Sequence, residues 1–95
     1  MSNNITIYTK KGCIFCYKTK QLLEHVQLPY NEKCLDPTKH DYESKKNKLF
    51  NLYNHNSFPI IIINDKLLGG YSDLINYYNT STLQKFYKSI GFNIY

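Results

Sequence analysis

The rhythm of apolar positions changes several times along this chain, and each change marks an element. Ile5, Ile7 and Tyr8 stand in a strand-like run that ends at Thr9, and Lys10-Lys11-Gly12 makes a turn. Ile14, Tyr17, Leu22, Leu23 and Val26 then recur at roughly helical spacing without proline or glycine between them, until Gln27 and Pro29 close the helix. Residues 30–35 read as a short second strand ending at Asp36-Pro37. Residues 41–53 read as an amphipathic helix, with Tyr42, Leu49, Phe50, Leu52 and Tyr53 on one side and Lys45, Lys46, Asn47 and Lys48 mostly on the other.

The continuous run Phe58-Pro59-Ile60-Ile61-Ile62-Ile63 suits a strand buried on both faces. Asn64-Asp65 is a two-residue hairpin turn into Lys66-Leu67-Leu68, so those strands are expected to pair antiparallel. Gly69-Gly70 stops the second of them, and Ser72 is placed to cap a helix over 73–79. A last helix over about 81–89, with Leu83, Phe86, Tyr87 and Ile90 apolar, is expected to end at Gly91. The order βαβ, α, β-hairpin, α, α predicts an α/β fold of the thioredoxin-like kind, a four-stranded mixed sheet flanked by helices. At 95 residues, with 42% hydrophobic and 16% aromatic content, residues 1–95 form one domain that fills its core without disulfide staples.

Charge changes this picture little. The net charge is +5, all twelve basic residues are Lys, and only Lys10-Lys11 and Lys45-Lys46 are adjacent. With no Arg to read bases and no basic cluster, nucleic acid is not expected as a partner. A solvated basic surface would still attract anionic small molecules, such as a tripeptide thiol with two carboxylates. Met-Ser-Asn-Asn leads straight into the first strand, and the longest apolar run is 58–63, so neither a signal peptide nor a membrane span is expected. Three cysteines in such a chain point to reactivity or metal binding rather than a permanent bridge, and to a reducing, cytoplasmic setting.

The chemistry gathers at Cys13 and Cys16. They are separated by two residues and follow a strand at the head of a helix, where unpaired N–H groups and the positive end of the dipole favour thiolate over thiol. Lys10 and Lys11 add positive charge. Cys13 is expected to attack a substrate disulfide, and Cys16, one helical turn later, to resolve the mixed disulfide. The same spacing also supplies half of many zinc sites. Completing one would take Cys34 plus His25, His40 or His55, and none of these makes a second close pair of ligands, so no metal site is expected. Cys34 reads as a small buried residue, and the histidines as surface residues.

Three separated motifs resemble those of glutaredoxins, and together they span nearly the whole chain. Ile7-Tyr8-Thr9-Lys10-Lys11-Gly12-Cys13-Ile14-Phe15-Cys16 resembles the family's strand, lysine and Cys-Pro-Tyr-Cys site. Ser57-Phe58-Pro59 resembles the Thr-Val-Pro segment, whose proline is cis. Leu68-Gly69-Gly70-Tyr71-Ser72-Asp73-Leu74 resembles the Gly-Gly segment that opens the third helix.

The resemblance implies a monomeric, glutathione-dependent thiol–disulfide oxidoreductase that reduces protein disulfides and glutathione mixed disulfides. Ribonucleotide reductase is one intracellular partner it brings into consideration. Carried over by position, Lys10 would pair with a glutathione carboxylate and help to hold the Cys13 thiolate. Phe15 would form an aromatic wall, and Phe58, before cis Pro59, would present its backbone to the cysteinyl part. Gly70, Ser72 and Asp73, at the head of the third helix, would hold the γ-glutamyl end. Lys46, on the second helix, is a further candidate for the glycyl carboxylate.

Ile14 stands where the family has proline, and Phe15 where it has tyrosine. In some glutaredoxins a non-proline residue here accompanies a two-iron two-sulfur cluster held between protomers, but those cases mostly carry a small residue and Ile14 is bulky. The alternatives at this stage are therefore an iron–sulfur carrier and a redoxin fed by thioredoxin reductase. Lys10 and Asp73 favour glutathione over the latter.

Overall fold

The computed structural model describes residues 4–78. The helix expected over 81–89 lies outside the described residues. Within them the order is β1 (Ile5–Lys10), α1 (Ile14–His25), β2 (Asn31–Leu35), α2 (Tyr42–Tyr53), β3 (Ile60–Ile63), β4 (Lys66–Gly69) and α3 (Tyr71–Tyr78). The strands form one sheet in the order β2-β1-β3-β4, with β1 parallel to β2 and antiparallel to β3, and β3 antiparallel to β4. This is the mixed sheet expected from the element order.

Alternation along β1 assigns the two faces. Ile5, Ile7 and Thr9 are buried on one side, where Ile5 and Ile7 join Leu22 and Leu23 of α1, Ile61 and Ile63 of β3, and Leu74 of α3. Tyr8 points to the other side and meets Tyr53 of α2, with ring centroids 6.1 Å apart. All four residues of β3 are buried, as a central strand covered on both faces requires. Leu23 is fully buried in this cluster, so its truncation to Ala would cost about 2–5 kcal/mol.

The Asn64-Asp65 turn forms as expected, with φ of 53° and 67° at its two residues, the left-handed values a tight hairpin needs. Several boundaries differ from the sequence reading. Lys10 ends β1 instead of starting a turn, because it pairs with Leu35 of β2 and the next N–H, of Lys11, reaches the Leu35 carbonyl at 3.1 Å. β3 begins at Ile60 and not at Phe58, since Pro59 has no N–H to give to a ladder. α3 starts at Tyr71, so Ser72 is already inside the helix and does not cap it. Between β3 and β4 the register slips by one residue, setting Ile61 against Gly69 and Ile62 against Leu67. That bulge and the φ of 132° at Gly69 turn the chain out of the sheet and into α3.

Helix α2 is the most weakly buried of the described helices. None of its residues is fully buried, and Leu52, expected on its inward side, is 71% exposed. Cys34 corrects the sequence reading in the same region. It is exposed on β2, the edge strand of the sheet. Among the described residues no helix is long and apolar enough to cross a membrane.

Candidate active site

Cys13 is the N-cap of α1. Its backbone is extended (φ −97°, ψ 114°), its carbonyl accepts the Tyr17 N–H at 3.1 Å, and its Sγ accepts the Cys16 N–H at 3.3 Å. The sulfur thus takes the place that a Ser or Asp oxygen holds in an ordinary cap. On its other side the Cys13 thiol faces the Phe58 carbonyl at 3.8 Å. Gly12, with φ 81°, brings the chain from the end of β1 into this cap.

Cys16 sits one turn deeper and is 2% exposed. Its thiol is pushed up to about 12, first by burial and then by its hydrogen bond to Cys13, with the charge on Cys13 acting in the same direction and the Lys10 backbone N–H opposing them. The two sulfurs are therefore unequal. One is partly accessible with an N–H aimed at it, and the other is buried and held protonated.

A cleft of about 450 Å³ opens over this pair, lined among others by Lys10, Lys11, Lys20, Glu32 and Cys34. Lys11 pairs with Asp36 at 3.2 Å and Lys20 with Glu32 at 3.2 Å. Lys10 is the lysine of the cleft with no carboxylate partner among the described residues. In the wall of the cleft, Thr9 donates its hydroxyl to Glu32 at 2.7 Å, and that bond, ahead of the Lys20 ion pair, holds the Glu32 carboxyl below its usual range.

The other expected positions converge from the far side of Cys13. The Phe58–Pro59 peptide is cis. Gly70 lies against the Pro59 carbonyl, and its N–H donates to the Asp73 carboxylate at 2.8 Å. Asp73 thus supplies the cap that the sequence reading gave to Ser72, reaching back from the third residue of α3 as in a capping box. Gly69 is constrained from the same side, because a Cβ there would land on the Asp73 carboxylate.

Phe15 is 49% exposed and Ile14 59%, so both apolar residues between the cysteines face solvent. The Phe15 ring lies 5.8 Å from that of Tyr71, a contact joining the heads of α1 and α3. Lys46 stands 2.8 Å from Glu43 and 5.9 Å from the centre of the Phe50 ring, which in turn packs on Phe58 at 5.4 Å.

Two residues of this neighbourhood escaped the sequence reading. Tyr71 had no signal beyond its place beside Gly70. His55, read as a surface residue, is half-buried with its Nε2 3.4 Å from the Ser57 hydroxyl and its ring against Gly70. The left-handed Asn54 that ends α2 turns it inward, which no local pattern signals.

A family model described as Glutaredoxin matches residues 5–68. Glutaredoxin 1 of Rickettsia bellii is 31% identical over 81 residues, covering 85% of this chain and 83% of that protein. Glutaredoxin-1 of Mus musculus is 28% identical over 94 residues, covering 95% and 86%. Among solved structures, the buckwheat glutaredoxin–glutathione complex superposes with a TM-score of 0.74 at 19% identity, covering 94% of this chain and 80% of that one, a likeness of fold.

Proposed function

This chain belongs to the glutaredoxin family of thiol–disulfide oxidoreductases, and on that footing we propose that glutathione is its reductant, with Cys13 as nucleophile and Cys16 as resolving thiol. The observation that carries the proposal is the Cys13 sulfur itself, capping α1 with the Cys16 N–H at 3.3 Å and the Phe58 carbonyl at 3.8 Å.

In the first step the Cys13 thiolate attacks the glutathionyl sulfur of a mixed disulfide. The S–S bond breaks, and the substrate thiolate leaves and takes a proton from water. A second glutathione thiolate then attacks the glutathionyl sulfur on Cys13, which yields glutathione disulfide and returns the Cys13 thiolate. With a protein disulfide, Cys13 forms the mixed disulfide and Cys16 resolves it, releasing the second substrate thiolate and closing the Cys13–Cys16 bond.

The inequality of the two sulfurs gives this order a cause. While Cys13 is free, its hydrogen bond and its charge both hold the Cys16 proton in place. Once Cys13 is bonded to another sulfur it is neutral and both influences end, while burial, the largest cause of the raised Cys16 pKa, remains.

Lys10, the uncompensated lysine of the cleft, would receive a glutathione carboxylate. Phe15 with Tyr71 would wall the sulfur, and the Phe58 backbone before Pro59 would meet the cysteinyl unit. Gly70, Ser72 and Asp73 would hold the γ-glutamyl end at the head of α3, with the Asp73 charge facing its amine. These roles suit a reducing compartment such as cytoplasm and protein partners of the ribonucleotide reductase kind.

The test is a coupled assay with glutathione, glutathione reductase and a small mixed disulfide, run on wild type, Cys13→Ser and Cys16→Ser. Wild type and Cys16→Ser should turn over and Cys13→Ser should not. Turnover by Cys13→Ser would remove the nucleophile assignment, and turnover of wild type with thioredoxin reductase alone would replace glutathione as reductant.

A further inference from the structure

A second concavity opens on the other side of β2. A groove of about 640 Å³ runs between β2 and α2, and Tyr8, Leu35, Leu49 and Leu52 give it an apolar lining. Leu49 and Leu52 lie along one stripe of α2, the helix with no fully buried residue, and Leu52 holds 71% of its surface in solvent. An aliphatic stripe left open beside a sheet edge is surface that a partner would cover.

The charge left unpaired around it is of one sign. Of the acidic residues lining the groove, Asp36 is engaged by Lys11 and by Thr38, and Asp41 by Lys45 at 3.1 Å. Lys33, Lys39 and Lys48 line the same groove and have no carboxylate partner among the described residues. The uncompensated charge around the leucines is therefore positive.

The groove also borders the cleft of the reactive centre. Cys34 lines both it and the cleft that holds Cys13 and Cys16. A polypeptide with its disulfide at Cys13 would pass Cys34 and lay its next residues between β2 and α2. We propose that this groove docks an acidic segment with aliphatic or aromatic side chains, flanking the disulfide in a protein substrate. Apolar side chains would sit on the leucines and carboxylates would meet Lys33, Lys39 and Lys48. The two aromatic rings of the lining already carry lysines, Lys33 over Tyr8 at 5.7 Å and Lys46 over Tyr42 at 5.6 Å, and the rest of the apolar lining is leucine, which favours a polypeptide over single-stranded nucleic acid, whose bases bind by stacking on aromatic rings. The proposal rests on the reading of Cys13 as the nucleophile that meets disulfides.

The test compares two synthetic peptides with the same small disulfide loop, one followed by Glu-Leu-Asp-Phe and the other by Lys-Leu-Lys-Phe, with bis(2-hydroxyethyl) disulfide as a substrate too small to reach the groove. The full-length protein and its Lys39→Glu/Lys48→Glu variant are assayed for kcat/KM at low and high salt. Wild type should prefer the acidic peptide. The variant should lose about fivefold on that peptide alone, the scale of two exposed ion pairs, and high salt should shrink the difference. Leu52→Gln should lower turnover of the acidic peptide while sparing the small disulfide.

Equal kcat/KM for both peptides in both proteins would overturn the proposal, as would an equal loss on the small disulfide. Competition by a single-stranded oligonucleotide, or self-association that the same charge reversal abolishes, would assign the groove to another occupant and overturn it too. Failure of wild type to reduce the small disulfide would remove the Cys13 reading, and this one with it.

Discussion

The Asp73 carboxylate accepts the Gly70 N–H at 2.8 Å, beside the point where Gly70 lies against the Pro59 carbonyl. The bond is local, closing the residue before α3 onto the third residue of the helix, and it does so with a charged group. A cap and a ligand-binding carboxylate predict different things, and two substitutions separate them.

Asp73→Ala removes both charge and acceptor. It should cost about 1 kcal/mol of stability, the usual worth of a cap. It should also raise KM for glutathione. Asp73→Asn keeps an oxygen for the Gly70 N–H, so it should recover most of the stability while KM stays high. If Asn restores both, Asp73 is a cap only.

Cys16 makes alkaline pH informative. Its pKa rises from 9.0 to about 12, so the fold favours the neutral thiol. The stabilisation is full below pH 9.0 and disappears as pH rises through about 12. Tyr30 is raised in the same direction, by burial and then by its bond to Glu24, so the measurement is the difference between reduced wild type and Cys16→Ser. Denaturant curves should show wild type losing stability more steeply across that window. Parallel pH profiles would mean that Cys16 is not held protonated. Iodoacetamide at about pH 8 should label exposed Cys34 and accessible Cys13 in the reduced protein and leave Cys16 unmodified.

Acid reports on the other side of the cleft. Glu32 is held below its usual range by the Thr9 hydroxyl first and by Lys20 second. A lowered carboxyl contributes stability above its unfolded pKa and loses it as pH falls through the folded one. Thr9→Val should cost about 1 kcal/mol at neutral pH and flatten the fall in stability on acidification. An unchanged acid limb would show that Lys20 alone holds the Glu32 charge.

Phe15 and Tyr71 should be coupled. Tilted rings 5.8 Å apart are worth about 0.5–1.5 kcal/mol beyond the area they bury. A double-mutant cycle with Phe15→Ala and Tyr71→Ala should return a coupling toward the lower end, since Phe15 is half in solvent. Strict additivity would mean that the heads of α1 and α3 are held together without this contact.

Much of this was legible in the chain because it depends on neighbours in sequence. Alternation in β1, helical spacing after Cys13, the four isoleucines of β3 and the left-handed turn at Asn64-Asp65 are each decided within a few residues, and each formed where its pattern said. Local pattern failed where distant partners decide. Lys10 belongs to a strand because Leu35 pairs with it, and Leu52, on the apolar stripe of α2, is 71% exposed, which its spacing does not signal.

The sequence by itself determined the order of elements, the placement of two cysteines at a helix head and the family, because these follow from spacing along one chain. Tertiary structure alone decided that the Phe58 carbonyl would stand 3.8 Å from the Cys13 sulfur and that Cys34 would be exposed between two clefts. The physical reason is common to both. Each is a contact, or a missing contact, between elements brought together by the packing of the sheet and its helices, and a pattern confined to one element carries no term for what lies across from it.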